Sequence, residues 1–314
     1  MRAIVFDEFG GVEKLRIDEL PEPLPAGGEI QIRVSYAGVN PLDWKVRAGL
    51  VKDWLPFEFP IIPGFDCAGT VSSVGPGVTG FAVGDRVYAY IKKKKIQWGT
   101  YAEFATCSAE HAAPIPANLT MAEAASLPVV ALTAWQAVME TFPIKAEQTV
   151  LIHAGAGGCG SVAIQLAKSV GATVYTTASS KNHDYVQKLG ADRAIDYNKE
   201  EFASILHETC GGADFILVSA NGVEDKSYAA LKEGGSLVSI VGEPDAKKAA
   251  SRGVKASFIS VEPSGSQLRA FTALIENGQL GPLEVVEMRL EDAAQAHRES
   301  QTGHVRGKIV LKVS

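Results

Sequence analysis

The sequence predicts an α/β protein whose two parts are built differently, and two patterns indicate this. In about the first 120 residues, short strand-like segments alternate with turns rich in Gly and Pro, which is typical of a small sandwich or barrel. From Thr149 onward, strand-like and helical segments alternate, which is typical of a doubly wound parallel sheet. The length of 314 residues also fits about two domains.

Five strands are predicted in the first part because their residues are β-branched, aromatic or alternating in polarity. Turns such as Gly27-Gly28 and Gly75-Pro76-Gly77 separate them, since Gly and Pro favour the backbone angles that turns require. The predicted strands are Arg2–Phe6, Glu29–Tyr36, Ala68–Val74, Asp85–Ala89 and Thr100–Thr106.

Helical character begins after Leu119. Thr120-Met-Ala-Glu123 has the spacing of a capping box, which predicts a helix start, and Leu132–Thr141 also indicates a helix. The strands predicted beyond this point are Thr149–His153, Thr173–Thr177, Arg193–Asp196, Asp214–Val218, Ser236–Val241 and Lys308–Val313. The helices predicted there are Gly158–Val170, Asn182–Lys188, Glu201–Glu208, Asp225–Ala230, Gln267–Asn277 and Glu291–Ser300.

Composition excludes several classes of protein. With 30 Lys and Arg against 36 Asp and Glu, the net charge is −6, so the basic footprint of a nucleic-acid-binding protein is missing. The apolar run Leu127–Val138 is shorter than the ~20 residues that span a bilayer, and no secretory leader opens the chain. We therefore expect a cytoplasmic protein without a membrane partner. The four cysteines form no CxxC pair, so neither a disulfide framework nor a cysteine-rich zinc lobe is predicted.

A glycine-rich turn carries the clearest functional signal. Gly155-x-Gly157-x-x-Gly160 follows the apolar strand Val150–Ile152 directly and precedes the helical Val162–Lys168. Such glycines permit a tight turn and close backbone approach to a pyrophosphate, which the helix N-terminus then binds. The alternative is a glycine-rich turn without a ligand, but the strand, helix and βα series around it favour a Rossmann dinucleotide site. The predicted turn residues are Gly155, Gly157, Gly158, Cys159 and Gly160.

The end of the second predicted strand indicates which dinucleotide binds. An Asp or Glu there would bind the ribose hydroxyls of NAD, but this chain has Ser179, Ser180 and Lys181. Two hydroxyls and an ammonium suit a 2′-phosphate, so NADPH (NADP) is the predicted cofactor. Tyr197, after the third strand, is a candidate for another hydroxyl at the same place. The alternative interpretation is a polar strand end with a solvated lysine.

Several motifs, taken together, resemble one family over nearly the whole chain. Pro63–Gly75, continuing to Gly84-Asp-Arg-Val87, resembles the GroES-like domain of the medium-chain dehydrogenases/reductases. Asn40–Lys45, Leu127–Trp135 and Val305–Val310 resemble the quinone-oxidoreductase and enone-reductase branch. The resemblance implies a GroES-like β-barrel catalytic domain plus a Rossmann domain. Its boundaries would be a catalytic domain over 1–120, a Rossmann NADPH-binding domain over 121–260 and a C-terminal return to the catalytic domain over 261–314.

The chain departs from this family's zinc-dependent members at two motifs. Gly64-Phe-Asp66 stands where they carry Gly-His-Glu, and Asn40 stands where they carry a cysteine ligand. Catalytic zinc needs three protein ligands and an open position, and only Asp66 survives from these motifs. No metal is therefore predicted.

Without a metal, alcohol oxidation lacks the Lewis acid that would lower the hydroxyl pKa. The predicted activity is NADPH-dependent reduction of a quinone or α,β-unsaturated carbonyl, in which hydride attacks an electron-poor carbon and donors stabilise the oxygen. The alternatives are a non-catalytic NADPH-binding or structural protein and a zinc-type alcohol dehydrogenase. The resemblance also implies a homodimer, for which Val238–Val241 or Phe258–Val261 would supply an exposed edge strand.

The resemblance further implies which residues line the nicotinamide end. Asn40 would polarise the substrate oxygen, and Lys45 would polarise it or return a proton. Alternatively, Asn40 is a turn residue before Pro41, and Asp43 forms a surface ion pair with Lys45. The predicted catalytic residues are Asn40, Asp43 and Lys45, and the remaining nicotinamide contacts are Thr133, Val241 and Gly242.

Two further sets of candidates complete the predicted site. Arg306 and Lys308 are candidates for the cofactor phosphate. Aromatic side chains suit a flat apolar substrate, although aromatics are also common in cores, so only two or three of five candidates are expected in the pocket. The candidate aromatics are Trp44, Trp54, Tyr88, Trp98 and Phe258.

Overall fold

The computed structural model describes all residues from Met1 to Ser314, and the chain forms two compact units. The first unit consists of Met1–Val129, Glu262–Asn277 and Pro282–Ser314, and the second of Val130–Val261 and Gly278–Gly281. The strands are β1 (Arg2–Val5), β2 (Arg16–Glu19), β3 (Glu29–Gly38), β4 (Phe57–Ile62), β5 (Asp66–Val74), β6 (Arg86–Tyr90), β7 (Ile96–Trp98), β8 (Phe104–Ser108), β9 (Ala112–Pro114), β10 (Thr149–Ile152), β11 (Thr173–Thr177), β12 (Arg193–Ile195), β13 (Ala213–Val218), β14 (Leu231–Ser239), β15 (Lys255–Phe258), β16 (Val285–Arg289) and β17 (Lys308–Lys312).

The chain has ten α-helices, and none of them is long and apolar enough to cross a membrane. They are α1 (Pro41–Arg47), α2 (Met121–Ala125), α3 (Pro128–Trp135), α4 (Gly158–Ser169), α5 (His183–Lys188), α6 (Phe202–Cys210), α7 (Glu224–Ala230), α8 (Ala246–Ser251), α9 (Gly265–Glu276) and α10 (Ala293–Gln301).

A seven-stranded sheet organises the first unit. Its order is β16-β17-β3-β5-β6-β9, and β8 also pairs with β3. β5 pairs along one edge of β3, so β8 and β17 share the other edge, at Glu29–Arg33 and at Tyr36–Gly38. The last strand of the chain therefore lies against an early one, which brings residues near position 308 beside residues near position 39.

Alternation of polarity along β3 explains which face it buries. Ile30, Ile32 and Val34 are fully buried, whereas Arg33 between them is exposed, as the two-residue period of a strand requires. These residues join one apolar cluster with residues of β5, β6 and β17, among them Val71 and Leu311. Burial of apolar side chains thus fixes the register of the long strand on which the sheet is built.

A six-stranded parallel sheet organises the second unit. Its order is β12-β11-β10-β13-β14-β15, and every pair in it is parallel. This is the doubly wound order of a dinucleotide-binding sheet, with β10 beside the point where the order reverses. The predicted fold class is confirmed, and so is the capping box, because Glu123 N donates to Thr120 Oγ1 and Thr120 N to the Glu123 carboxylate.

Three local predictions were wrong. The first part contains a helix besides its strands, since α1 begins at Pro41, where no helix was predicted. Val238–Val241 is not an edge, because β14 lies between β13 and β15; the edge strands are β12 and β15. The strand expected over Thr100–Thr106 begins only at Phe104.

The packing of β3 against β5 predicts the effect of one substitution. A Cβ added at Gly69 would collide with Arg33 O across the strand pair, whereas the nearest atom to a Cβ at Gly27 is Pro76 O, 3.8 Å away. We expect Gly69→Ala to lower the free energy of unfolding by about 1–3 kcal/mol, the usual cost of overpacking. Gly27→Ala is the matched control and should stay within about 0.5 kcal/mol of the wild type in urea denaturation. Equal stability of the two variants would contradict the described strand contact.

Candidate functional site

The glycine turn lies where the sequence predicted it, between β10 and α4. A Cβ added at Gly155 would collide with Thr176 Oγ1 of β11, and one added at Gly160 would collide with Ala154 O. These positions therefore accept only glycine, because the turn packs directly against the neighbouring strand and its own backbone. Gly157 precedes the first turn of α4, whose free N–H groups and helix dipole suit an anion.

His153 supports this turn from inside the second unit. Its Nδ1 lies 3.1 Å from Thr177 Oγ1 and its Nε2 lies 3.0 Å from Ser227 Oγ, so the ring links β11 and α7. Burial lowers the pKa of His153 to about 3, and the ring is therefore neutral near pH 7. A neutral, doubly hydrogen-bonded histidine acts as a structural link in this position.

The residues predicted for the 2′-phosphate lie together after β11. Ser180 and Lys181 belong to a short 3₁₀ turn that Ser179 precedes. Ser180 also approaches Asp196, whose pKa is lowered first by the Asn198 backbone N–H and to a smaller extent by this serine. Lys181 is exposed and makes no ion pair within the chain, so its ammonium is available to an anion. Tyr197 is half exposed in the loop after β12.

A buried polar cluster in the first unit contains two of the predicted catalytic residues. Asp43 is fully buried; its Oδ2 accepts from Asn40 N at 2.7 Å and from the Tyr101 hydroxyl at 2.9 Å. The alternative interpretation, a surface ion pair between Asp43 and Lys45, is therefore wrong. The ammonium of Lys45 lies instead 5.8 Å from the ring centroid of Trp44. Asn40 is the N-cap of α1, which explains the Asn-Pro sequence as a helix start rather than a simple turn.

The side chain of Asn40 is bonded at both ends. Its Nδ2 donates to Asp66 Oδ2 at 2.8 Å, and its Oδ1 accepts from Lys308 Nζ at 2.6 Å. The same ammonium donates to Val39 O at 2.8 Å and lies 3.6 Å from Asp66 Oδ2. The expectation that Lys308 reaches a cofactor phosphate is wrong, because the side chain is buried within the sheet.

Burial sets the protonation of the two carboxyl groups in this cluster. Burial raises the pKa of Asp43 from 3.8 to about 7, although the Asn40 N–H and the Tyr101 hydroxyl oppose the rise. Burial also raises the pKa of Asp66, while the ammonium of Lys308 is the largest influence that favours its ionised form. Asp43 Oδ1 has no hydrogen-bond partner, which fits a carboxyl group that is partly neutral near pH 7.

The five candidate aromatics are not gathered in one place. Trp98 lines a pocket of the first unit together with Asp43 and Phe65. Trp54 is 79% exposed, whereas Tyr88 is fully buried and donates to Leu268 O at 2.8 Å. The remaining two are half-buried, Trp44 on α1 and Phe258 on β15.

The remaining predicted contacts divide between the two units. Thr133 is buried on α3, and Val241 and Gly242 follow β14, where each backbone N donates to Ser239 Oγ at 3.3 Å. Arg306, in the first unit, forms an ion pair with Glu284 rather than standing free for a phosphate.

The residues at the two zinc-motif positions do not fit a zinc ion. Asn40 Oδ1 and Asp66 Oδ2 already face the ammonium of Lys308, and a second cation there would meet its positive charge. No group of three or more His, Cys, Asp or Glu side chains in the chain has the arrangement of a metal site. The donor set thus lacks the three ligands that catalytic zinc requires.

Comparisons with known proteins identify two family domains and relatives that align over nearly the whole chain. The alcohol dehydrogenase GroES-like domain matches residues 26–117, and the zinc-binding dehydrogenase family matches residues 189–311. A chloroplast envelope quinone oxidoreductase homolog of Arabidopsis thaliana is 31% identical over 99% of this chain and 98% of its own length. A chloroplastic NADPH-dependent alkenal/one oxidoreductase of that plant is 34% identical, over 99% and 79%. A mycobacterial structure complexed with NADPH has a TM-score of 0.89 at 31% identity, covering 100% of both chains.

The raised pKa of Asp43 predicts how stability depends on pH. The folded protein holds this proton up to about pH 7, whereas the unfolded chain releases it near 3.8, so the stabilisation is complete below about pH 4 and lost as pH rises to 7. We expect the wild type to lose up to about 4 kcal/mol of unfolding free energy relative to Asp43→Asn across this range. Each unit of difference between the folded and unfolded pKa corresponds to about 1.4 kcal/mol. Denaturation of both proteins from pH 4.5 to 7.5 measures it, and a constant difference would contradict the assignment.

Proposed function

This chain belongs to the quinone oxidoreductase and enone reductase branch of the medium-chain dehydrogenases/reductases, and from that premise we propose its reaction. It reduces quinones or α,β-unsaturated carbonyls with NADPH, by direct hydride transfer and without a metal. The observation that carries the proposal is the ammonium of Lys308 against Asn40 and Asp66, which belong to the two motifs where the chain departs from zinc-dependent members. A fixed cation already balances the buried carboxylate, and this supports chemistry that uses hydrogen-bond donors in place of a metal.

When bound, NADPH supplies the hydride that the electron-poor carbon of the substrate accepts. A proton, from Lys45 or from solvent, completes the reduction and gives a hydroquinone or a saturated carbonyl compound. The task of the chain is then to bind, to orient and to stabilise the charge that develops on the substrate oxygen.

Asn40 is the proposed donor to that oxygen. A side-chain amide nitrogen carries two hydrogens, and Asn40 gives one of them to Asp66. The second hydrogen has no partner within the chain and suits a carbonyl oxygen. A preorganised donor of this kind contributes on the order of 10²–10³-fold to the rate. Asp43 supports it by accepting from the Asn40 backbone, and Lys45 remains a candidate for returning the proton.

The cofactor contacts proposed for the second unit follow the glycine turn and the strand end beyond it. The pyrophosphate would lie at the N-terminus of α4 and the 2′-phosphate at Ser179, Ser180 and Lys181. We also propose a cytoplasmic homodimer. Its support is the edge strand β15, whose outer side pairs with no strand of the same chain.

The free ammonium of Lys181 makes the cofactor preference testable. We expect Lys181→Ala to weaken NADPH binding about tenfold, the loss of roughly one exposed charge-assisted contact to phosphate, while NADH binding stays unchanged. Lys188→Ala, an exposed lysine on the helix that follows, is the matched control and should bind both cofactors as the wild type does. Fluorescence titration gives the dissociation constants. Equal weakening of NADPH and NADH would show that Lys181 does not contact the 2′-phosphate.

A substrate panel tests the reaction itself. Purified protein treated with a chelator should consume NADPH with quinones and enones and leave saturated alcohols unoxidised in the presence of NADP⁺. NADH should be a poorer donor. If no member of the panel is reduced, the protein binds NADPH without this catalysis; if activity depends on added zinc, the metal-free mechanism is wrong.

A further inference from the structure

We infer that Lys308 is a positioning residue of this site, acting through the amide of Asn40. Lys308 opens the last strand, β17, and its side chain is nearly fully buried. The sequence around Asn40 does not indicate this contact, since 268 residues separate Asn40 from Lys308. The inference rests on the proposed function for what the amide does, and it adds the reason why the amide has only one orientation.

Three groups form a closed set of contacts. Lys308 Nζ donates to Asn40 Oδ1, Asn40 Nδ2 donates to Asp66 Oδ2, and that same oxygen lies 3.6 Å from the ammonium. Two backbone groups fix the charged partners in turn. Val39 O accepts from the ammonium, and Val129 N donates to Asp66 Oδ1 at 2.7 Å. The amide therefore lies between a cation and an anion that are themselves held in place.

The chemistry of the two partners selects one orientation of the amide. An ammonium can only donate and a carboxylate can only accept, whereas the two ends of an amide differ in this respect although their shapes are almost the same. Rotation of the Asn40 amide by 180° would place its NH₂ group against the ammonium and its oxygen against the carboxylate. Both contacts would become repulsive, so the flipped amide is excluded.

The fixed orientation has a consequence for the substrate. With Oδ1 committed to Lys308 and one hydrogen of Nδ2 committed to Asp66, what remains is an N–H donor. A donor stabilises negative charge on a carbonyl oxygen, whereas a freely rotating amide would present its acceptor for part of the time. Lys308 thereby fixes the direction of the remaining N–H group of Asn40, and its own role is to position this amide.

The experiment separates this role from a merely structural one by removing both charges together. Lys308→Met alone would leave the buried Asp66 carboxylate without its cation and risks unfolding. The double variant Lys308→Met/Asp66→Asn keeps the charge balance but no longer selects the observed amide orientation. The oxygen of the new amide would accept from Val129 N, which turns its NH₂ group towards Asn40. Lys312→Met, an exposed lysine on the same strand, is the control.

We expect the double variant to melt near the wild-type temperature and bind NADPH as the wild type does. Its single-turnover rate of hydride transfer should fall by about tenfold to 10²-fold, part of what a lost donor costs. In the Asn40→Ala background, the same two substitutions should change the rate less than about twofold, since their effect passes through the amide. A similar loss with and without the Asn40 amide would overturn the inference.

A second readout does not depend on turnover. The two side-chain N–H signals of Asn40 in a ¹⁵N–¹H spectrum, assigned with Asn40→Ala, report its orientation directly. We expect them to be sharp and far apart in the wild type, because one hydrogen is bonded to a carboxylate, and to converge in the double variant. Unchanged signals would overturn the positioning role. A wild type that shows these signals but reduces no quinone or enone would contradict the proposed function and leave the orientation confirmed.

Discussion

Charge balance among buried groups is the constraint on which the first unit depends. Taking an ion out of water is costly, so a buried carboxylate requires a cation and hydrogen-bond donors around it. Asp66 meets this requirement with Lys308, Asn40 and a backbone N–H from Val129. Asp43, which lacks a cation of its own, meets it by staying largely protonated until about pH 7. The pairing joins three segments of the chain and returns its end to the sheet on which the unit is built.

The second unit satisfies a different constraint. There the close approach of the backbone, and not buried charge, decides which residues the site accepts. At Gly155 and Gly160 the chain passes so close to a neighbouring strand and to itself that a methyl group has no room. The helix N-terminus that follows supplies donors for an anion without any charged side chain. One unit is thus proposed to bind the cofactor phosphates through its backbone, and the other to hold the substrate oxygen through a fixed amide. The proposed reaction needs both.

The sequence predicted those features that depend on neighbours along the chain. The βα alternation, the glycine spacing and the capping box of Thr120 and Glu123 are local patterns, and all of them are present in the structure. The role of Lys308 escaped the sequence because lysines are rarely buried and because its partners lie about 240 to 270 residues away. The helix α1 escaped as well, since Asn40-Pro41 fits a turn and a helix start equally. Position on the sheet, which decides whether β14 is an edge, depends on topology and not on local pattern.

The central claim is that hydride passes directly from NADPH to the substrate carbon with no metal taking part. Reduction of an enone by NADPH deuterated at one face of nicotinamide C4, after exhaustive chelation, tests this most directly. Mass spectrometry and NMR of the product should show one deuterium on the β-carbon from one face of the cofactor, at the rate that the same labelled cofactor gives without the chelator. An unlabelled product with both cofactor epimers, or a rate that disappears with the chelator and returns with zinc, would contradict the account.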